Sequence, residues 1–493
     1  MTIKLKIREH ITGKELFEFF DSLGLYVRLS YKLRGINKLQ LKIIEGKTMK
    51  SNTKILCVLI IISFHIIFSN STFSQDNDIK TDDSLTSKKR SEIIEKVGEI
   101  YSKYYPSVET STEMINYINT KQKKGDYNQI DNINEFTSEL TKDLRSKSND
   151  YHIRVSPYEK IPDDLLAELK LGSPDDNYGF QRVELLPGNI GYINLTTFNN
   201  PKTAGSTAIA ALNFVAHCDA LIIDLRLNGG GDERMALFIS SYFFNKSTHL
   251  YDYFIRKDNV KNQNWTQEWV LGPRITQAPI YILMSSYSYS SSEVLAYNLQ
   301  QLGRAKIVGE KTRGGAYAVK FMSFPELSIN LKVPYSENIN PISKTNYING
   351  VIPDFPASSD KALIVAQVEA ARKLLKTEID SLKKYKLKWS IEGNEIELNP
   401  IILSNSKLSE YQGTYKNVKV SIECSTLLLQ RGKAMKQEMM SMGNDIFKYK
   451  DENEEKYRVR FIRNESGVIT GFYDFDSDGD KYPIKICENK LEK

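Results

Sequence analysis

Apolar residues recur at spacings of three and four from Ser91 to Lys147. They fall in the runs Ile93-Ile94-x-x-Val97-x-x-Ile100-Tyr101, Met114-Ile115-x-x-Ile118 and Phe136-x-x-Glu139-Leu140-x-x-Asp143-Leu144. That period predicts three amphipathic helices, enough for a small bundle. At Ser148-Asn149-Asp150-Tyr151-His152-Ile153-Arg154-Val155 it gives way to strand-like alternation. Asn189–Leu195 then reads as a strand, Ser206–Phe214 as a helix, and Ala220–Arg226 as an apolar strand of the kind covered on both faces. A helix is predicted over Met235–Phe244, a strand over Tyr281–Met284, and an amphipathic helix from Glu293. A strand over Ala305–Val308 and a helix over Ala362–Lys376 follow. Alternating strands and helices predict an α/β fold. From about Ile391 short strands alternate with turns: Ile396-Glu397-Leu398, Gly413-Thr414-Tyr415, Lys419–Ile422 and Tyr457–Phe461, with turns at Glu465-Ser466-Gly467 and Ser477–Asp480. These predict a small β-domain, joined by a basic linker at Lys383–Lys388.

The 493 residues suffice for two to four domains, and the net charge of +6 is unevenly placed. Residues 1–48 carry ten Lys/Arg against five Asp/Glu, and residues 49–74 two lysines and no acid, which leaves about −1 for the rest. A phosphate-binding surface is therefore not implied, and no nucleic-acid partner is expected. Met49–Lys54 is a short basic start, Ile55–Phe68 an almost unbroken apolar run, and Ser69–Gln75 small and polar. That order is a secretory signal peptide over 49–74, cleaved before Gln75. The run is short for a membrane span, so no stable span is expected after cleavage, and an exported protein (periplasmic or extracellular) is. Residues 1–48 read as an upstream extension of a chain that starts at Met49, and Asp76 to about Lys88 as a polar linker. Of the four cysteines, Cys57 lies in the signal, Cys218 beside an apolar strand, and Cys424 and Cys487 in the C-terminal region, where pairing is open.

Candidate chemistry gathers between Tyr281 and Gly315. Ser290 falls between a strand end and a helix start, where an activated hydroxyl can sit beside a positive helix end. Ser290-x-x-Glu293 is equally a capping box, and the two readings compete. Leu227-Asn228-Gly229-Gly230-Gly231-Asp232 follows the Ala220 strand. No Gly-Lys-Ser/Thr or Gly-x-Gly-x-x-Gly accompanies it, so nucleotide binding is excluded. The remaining uses are a tight turn or a set of backbone N–H groups offered to an oxyanion. His152 sits at the helix-to-strand junction. His217 adjoins a strand and His249 falls in a loop-like stretch. Asp474-x-Asp476-x-Asp478-Gly479 begins like a calcium loop, but its twelfth position is Lys485. No metal or other cofactor is expected.

From about Ser91 to Leu375 the chain resembles the tail-specific, or C-terminal processing, serine peptidases. It is most similar to the bacterial branch related to interphotoreceptor retinoid-binding protein, and more distantly to the tricorn protease core. The carrying residues are Tyr127, Asp143-Leu144, Asp150-Tyr151-His152, Leu186–Tyr192, Leu221–Gly231, Tyr289–Glu293, Arg304–Thr312 and Gly350-Val351-Ile352-Pro353-Asp354. The resemblance implies a crotonase/Clp-protease-like α/β core over 176–376, after a helical bundle at 89–158 and before a β-domain at 391–493. It implies a polypeptide substrate and an acyl-enzyme, with Ser290 as nucleophile and the N–H groups of Gly231 and Ser291 as oxyanion hole. The lysine base of the best-known members is replaced by Gly315, which excludes a serine–lysine dyad. His152 matches the histidine base of the related branch, and neutral imidazole suits that task. The acid that the branch carries before Gly-Val-x-Pro-Asp is missing from Thr345–Gly350, and Asn349 or Asn346 is the candidate to orient the ring. That departure keeps a weak or inactive relative, binding an apolar ligand or peptide, as the alternative. There is no room for a peptide-binding PDZ insert.

Overall fold

The computed structural model describes residues 2–5, 27–29, 39–43, 85–160, 173–450 and 456–475. The signal segment, Cys57, Cys487 and the end of the candidate calcium loop lie outside these. Two compact units are present, 1–82 and 83–493. In the first, β1 (Thr2–Leu5), β2 (Val27–Leu29) and β3 (Leu39–Ile43) form an antiparallel sheet with β3 central.

The second unit opens with α1 (Ser87–Tyr104), α2 (Val108–Lys124) and α3 (Ile133–Ser148). Thr86, Ser107 and Asn132 cap them, each side chain accepting a backbone N–H of the first turn. The apolar positions that set the helical period, among them Ile93, Val97, Met114, Ile118, Phe136 and Leu140, are fully buried. The strand β4 (Arg154–Pro157) follows.

A six-stranded sheet forms the next layer, built from β5 (Phe180–Leu186), β6 (Ile190–Leu195), β7 (Ala220–Asp224), β10 (Ile280–Met284), β11 (Ala305–Gly309) and β14 (Phe355–Pro356). The order is β14-β11-β10-β7-β6-β5, parallel except for the antiparallel edge β5. Leu221, Ile223, Ile282 and Ile307 pack on one face with α4 (Pro201–Phe214), α5 (Glu233–Ser240) and α6 (Ser291–Gln301). Ala220, Ile222, Leu283 and Val308 pack on the other against Ala362, Ala366 and Ala370 of α7 (Ala362–Leu375). Both faces are covered, so these strands read as continuous apolar runs. A second, antiparallel sheet places β13 (Ile329–Ile339) beside β12 (Tyr317–Phe324) on one side and β4 and β8 (His249–Ile255) on the other, with β9 (Val260–Trp265) beyond β8. His249, expected in a loop, opens β8.

The basic run Lys383–Lys388 is no linker. It lies in α8 (Ser381–Leu398), which also absorbs the strand expected at Ile396–Leu398. Leu387 and Ile391 share spacing i, i+4 and pack on Val368 and Ala371 of α7, so a helix buries them where a strand would not. After α9 (Asn405–Ser409), a seven-stranded antiparallel meander runs β15 (Gly413–Tyr415), β16 (Val418–Glu423), β17 (Thr426–Arg431), β18 (Gln437–Gly443), β19 (Ile446–Lys450), β20 (Lys456–Arg463) and β21 (Ile469–Phe475). The helix α8 is bonded to it through Lys448–Glu397 (2.5 Å) and Arg458–Glu392 (2.7 Å). Among the described residues no helix is long and apolar enough to cross a membrane.

Candidate active site

His152 is held by its own segment. Asn149 ends α3 in the left-handed conformation (φ 52°), and the Asp150 carboxylate accepts the His152 N–H at 2.8 Å, an Asx turn. From α3, Arg145 grips the carbonyls on either side, Tyr151 O at 2.9 Å and Ile153 O at 2.8 Å. The imidazole is buried, with Nε2 3.3 Å from Ser290 Oγ and its ring tilted at 37° to that of Tyr289, centroids 4.6 Å apart. Asp150 Oδ1 lies 3.3 Å from Nδ1, yet Nδ1 makes no hydrogen bond in this geometry. The other Asp150 oxygen takes the Tyr105 hydroxyl at 3.4 Å.

Ser290 stands between β10 and α6 with φ 57° and ψ −120°. A non-glycine residue held there stores backbone strain of about 1–3 kcal/mol, which the surroundings must impose. Glu293 imposes it. Its Oε2 accepts the Ser290 N–H (2.8 Å), and its Oε1 accepts the Thr312 hydroxyl (2.5 Å) and the Gly314 N–H (2.8 Å). The Glu293 N–H goes to the Ser290 carbonyl at 2.8 Å, so the carboxylate half of the capping box is in place while the Ser290 hydroxyl faces the histidine. Burial pushes the Glu293 carboxyl up to about 7, against the three donors and Arg313, which pull it down.

The neighbouring serines are tied to carbonyls: Ser285 to Arg226 O (2.5 Å), Ser288 to Leu225 O (2.8 Å), Ser291 to Gly231 O (2.7 Å) and Ser292 to Tyr289 O (2.9 Å). Asn228, fully buried, pins the glycine turn by donating to Leu195 O (3.0 Å) and accepting from Gly230 N–H (2.8 Å). Gly231 has φ 134°, and a Cβ there would lie 2.1 Å from Phe198 O, so only glycine fits. A Cβ on Gly315 would meet the Tyr289 ring at 2.5 Å and His152 Cε1 at 3.0 Å. The imidazole stands where a side chain at 315 would have to go. Arg313 lies over the rings of Tyr151, Tyr287 and Tyr289 at the rim.

The structure thus brings Ser290, His152, Gly231 and Ser291 together across 138 residues of chain separating the first two. It does not bring Asn346 or Asn349 to the ring. Asn346 donates to Glu337 and accepts Ile348 N–H at 2.9 Å, and Asn349 is exposed. The carboxylate at the ring is Asp150, two residues before the histidine. The spacing Asp-x-His, which predicts an Asx turn, was its signal in the sequence.

An imidazole against a strained serine hydroxyl, beside a glycine turn, has the groups that acyl transfer at a serine requires. Residues 189–357 match Peptidase family S41, and residues 85–173 match the N-terminal domain of Peptidase_S41 in eukaryotic IRBP. Over these segments the chain is similar to that family of serine-type peptidases. It is 30% identical over 169 residues to a carboxyl-terminal-processing protease of Picosynechococcus sp., covering 34% of this chain and 38% of that one. It is 34% identical over 133 residues to one of Synechocystis sp., covering 26% and 29%. The chain therefore spans only about a third of the length of these curated relatives. A solved photosystem II D1 C-terminal processing protease is similar over 35% of this chain and 43% of its own, at 22% identity and a TM-score of 0.30.

Proposed function

We propose that this chain is an exported serine endopeptidase on a crotonase/Clp-protease-like core. One observation carries the reading: in a serine-rich turn, the Ser290 hydroxyl faces an imidazole at 3.3 Å while its neighbours bond to carbonyls. Ser290 Oγ attacks the peptide carbonyl as His152 Nε2 takes its proton. The oxyanion is held by the N–H groups of Gly231 and Ser291, and collapse sends the proton from His152 to the leaving amine. Water then repeats the step on the acyl-enzyme. Asp150 Oδ1, 3.3 Å from Nδ1, orients the ring and balances the imidazolium after a small rotation. Export is read from the signal segment at 49–74.

The test is hydrolysis of an unstructured protein and of fluorogenic peptides. Ser290→Ala and His152→Ala should each lower kcat/KM by about 10³-fold or more, and the double variant little further, because the two act as a unit. Ser288→Ala, Ser291→Ala and Ser292→Ala should be mild. Wild-type turnover in Ser290→Ala with loss in Ser288→Ala or Ser292→Ala would assign the nucleophile elsewhere.

A further inference from the structure

We propose that Glu233 and the buried polar groups around it form the subsite for a cationic side chain, lysine or arginine, on the residue whose carbonyl Ser290 attacks. The inference rests on the peptidase reading and adds its specificity.

Glu233 is the first residue of α5, two positions past Gly231. A substrate carbonyl held on the Gly231 N–H carries its own side chain past this turn. The preceding Asp232 is engaged with Arg234 (Nε to Oδ1, 2.8 Å), whereas the Glu233 carboxylate lies against Asn338 of β13. Its Oε2 lies 3.4 Å from Asn338 Nδ2, which is also 3.4 Å from the Tyr347 hydroxyl. The Tyr251 hydroxyl is buried against this carboxylate, and Asn338 Oδ1 and, two residues before it on β13, Ser336 Oγ are buried without a hydrogen-bond partner.

Two unpaired polar atoms near a carboxylate are costly at about 1–3 kcal/mol each, and a folded protein seldom keeps such a group without a use. The set is rich in acceptors and, among the described residues, no cation pairs with Glu233. Burial holds the Glu233 carboxyl above its ordinary range, outweighing the Asn338 and Tyr251 hydrogen bonds, so an arriving cation supplies the charge that is missing. Lysine brings three donors and arginine five. Glu233 is half-buried, so a ligand can reach it.

The cluster adjoins the reacting groups. The helices α5 and α6 pack together and both begin at the site. The Asn338 N–H donates to Ala316 O (3.3 Å), next to Gly315 and the His152 ring. Burial pushes the Tyr347 phenol well up, and the charges of Glu293 and Glu233 add to it.

Four tetrapeptide aminomethylcoumarin amides that differ only in the last residue, lysine, arginine, leucine or glutamate, test this on the full chain, with casein as a general substrate. The wild type should prefer lysine and arginine over leucine and glutamate by about tenfold or more. In Glu233→Gln the ratio of kcat/KM for lysine over leucine should fall about 10–100-fold, and Glu233→Asp should keep part of it. A purely structural role would lower both substrates and leave the ratio unchanged, which overturns the subsite. Cleavage of casein without cationic preference overturns the subsite alone. A folded wild type that cleaves neither casein nor any peptide overturns the peptidase reading and the subsite with it.

Discussion

Glu293→Gln separates the stability of this centre from its reactivity. In the folded protein burial raises the Glu293 carboxyl from 4.5 to about 7. The folded state therefore holds that proton more tightly than the unfolded chain does. Its contribution to stability is fully present below about pH 4.5, falls as the pH rises, and is gone above about pH 7. At about 1.4 kcal/mol per pH unit the change is about 3 kcal/mol, with no discount for solvent because Glu293 is fully buried. Glutamine has no proton to lose, so the variant's Tm relative to wild type should improve by several degrees between pH 5 and pH 8. Activity should move the other way. The new amide turns N–H donors toward the Ser290 N–H or the Gly314 N–H, and one bond of about 1.5–3 kcal/mol is lost. If that loss falls on the geometry of Ser290, its reaction with a fluorophosphonate at pH 8 should slow by roughly 10–100-fold. A Tm difference that is the same at both pH values, or labelling at the wild-type rate, would refute the reasoning.

Gly231→Ala should abolish activity and weaken the fold, because its Cβ would meet Phe198 O at 2.1 Å; thermal melts with peptide assays check both. A chain ended after Lys376 should aggregate, having lost the Leu387 and Ile391 cover of α7, whereas one ended after Asn399 should keep its solubility on size-exclusion chromatography. N-terminal sequencing of exported protein should begin near Gln75, and a mature chain that retains Lys4 or Lys6 would sink the export reading.

The layers that bury an element on one clear period were legible in the sequence. Ile93, Val97 and Ile100 mark a helix, and the unbroken Ala220–Asp224 run marks a strand covered on both faces. The second sheet was not. The edge strand β9 is mostly exposed and polar, and β13, although Ile329, Leu331 and Val333 alternate in it, turns polar toward Asn338 and takes β4 and β8 from distant segments besides the adjacent β12. In α8 the lysines at 383, 384, 386 and 388 outweighed two apolar positions on the buried face. Ser290, His152 and the glycine turn stood out by residue type and order. Asp150 stood beside His152 in the same motif but without a legible role, because that role depends on an Asx turn folding its carboxylate back to the ring that follows. Glu233 looked like an ordinary acid in a helix's first turn, since Tyr251 and Asn338 reach it only through the tertiary fold.

The central claim is that His152 activates Ser290. Fluorophosphonate labelling of the full chain, with the modified peptide read by mass spectrometry, tests it most directly. The account predicts one adduct, on Ser290, formed at least about 100-fold more slowly in His152→Ala. Labelling of another serine, an undiminished rate in His152→Ala, or no adduct on the folded wild type would contradict it, and the last would favour a binding protein on the same fold.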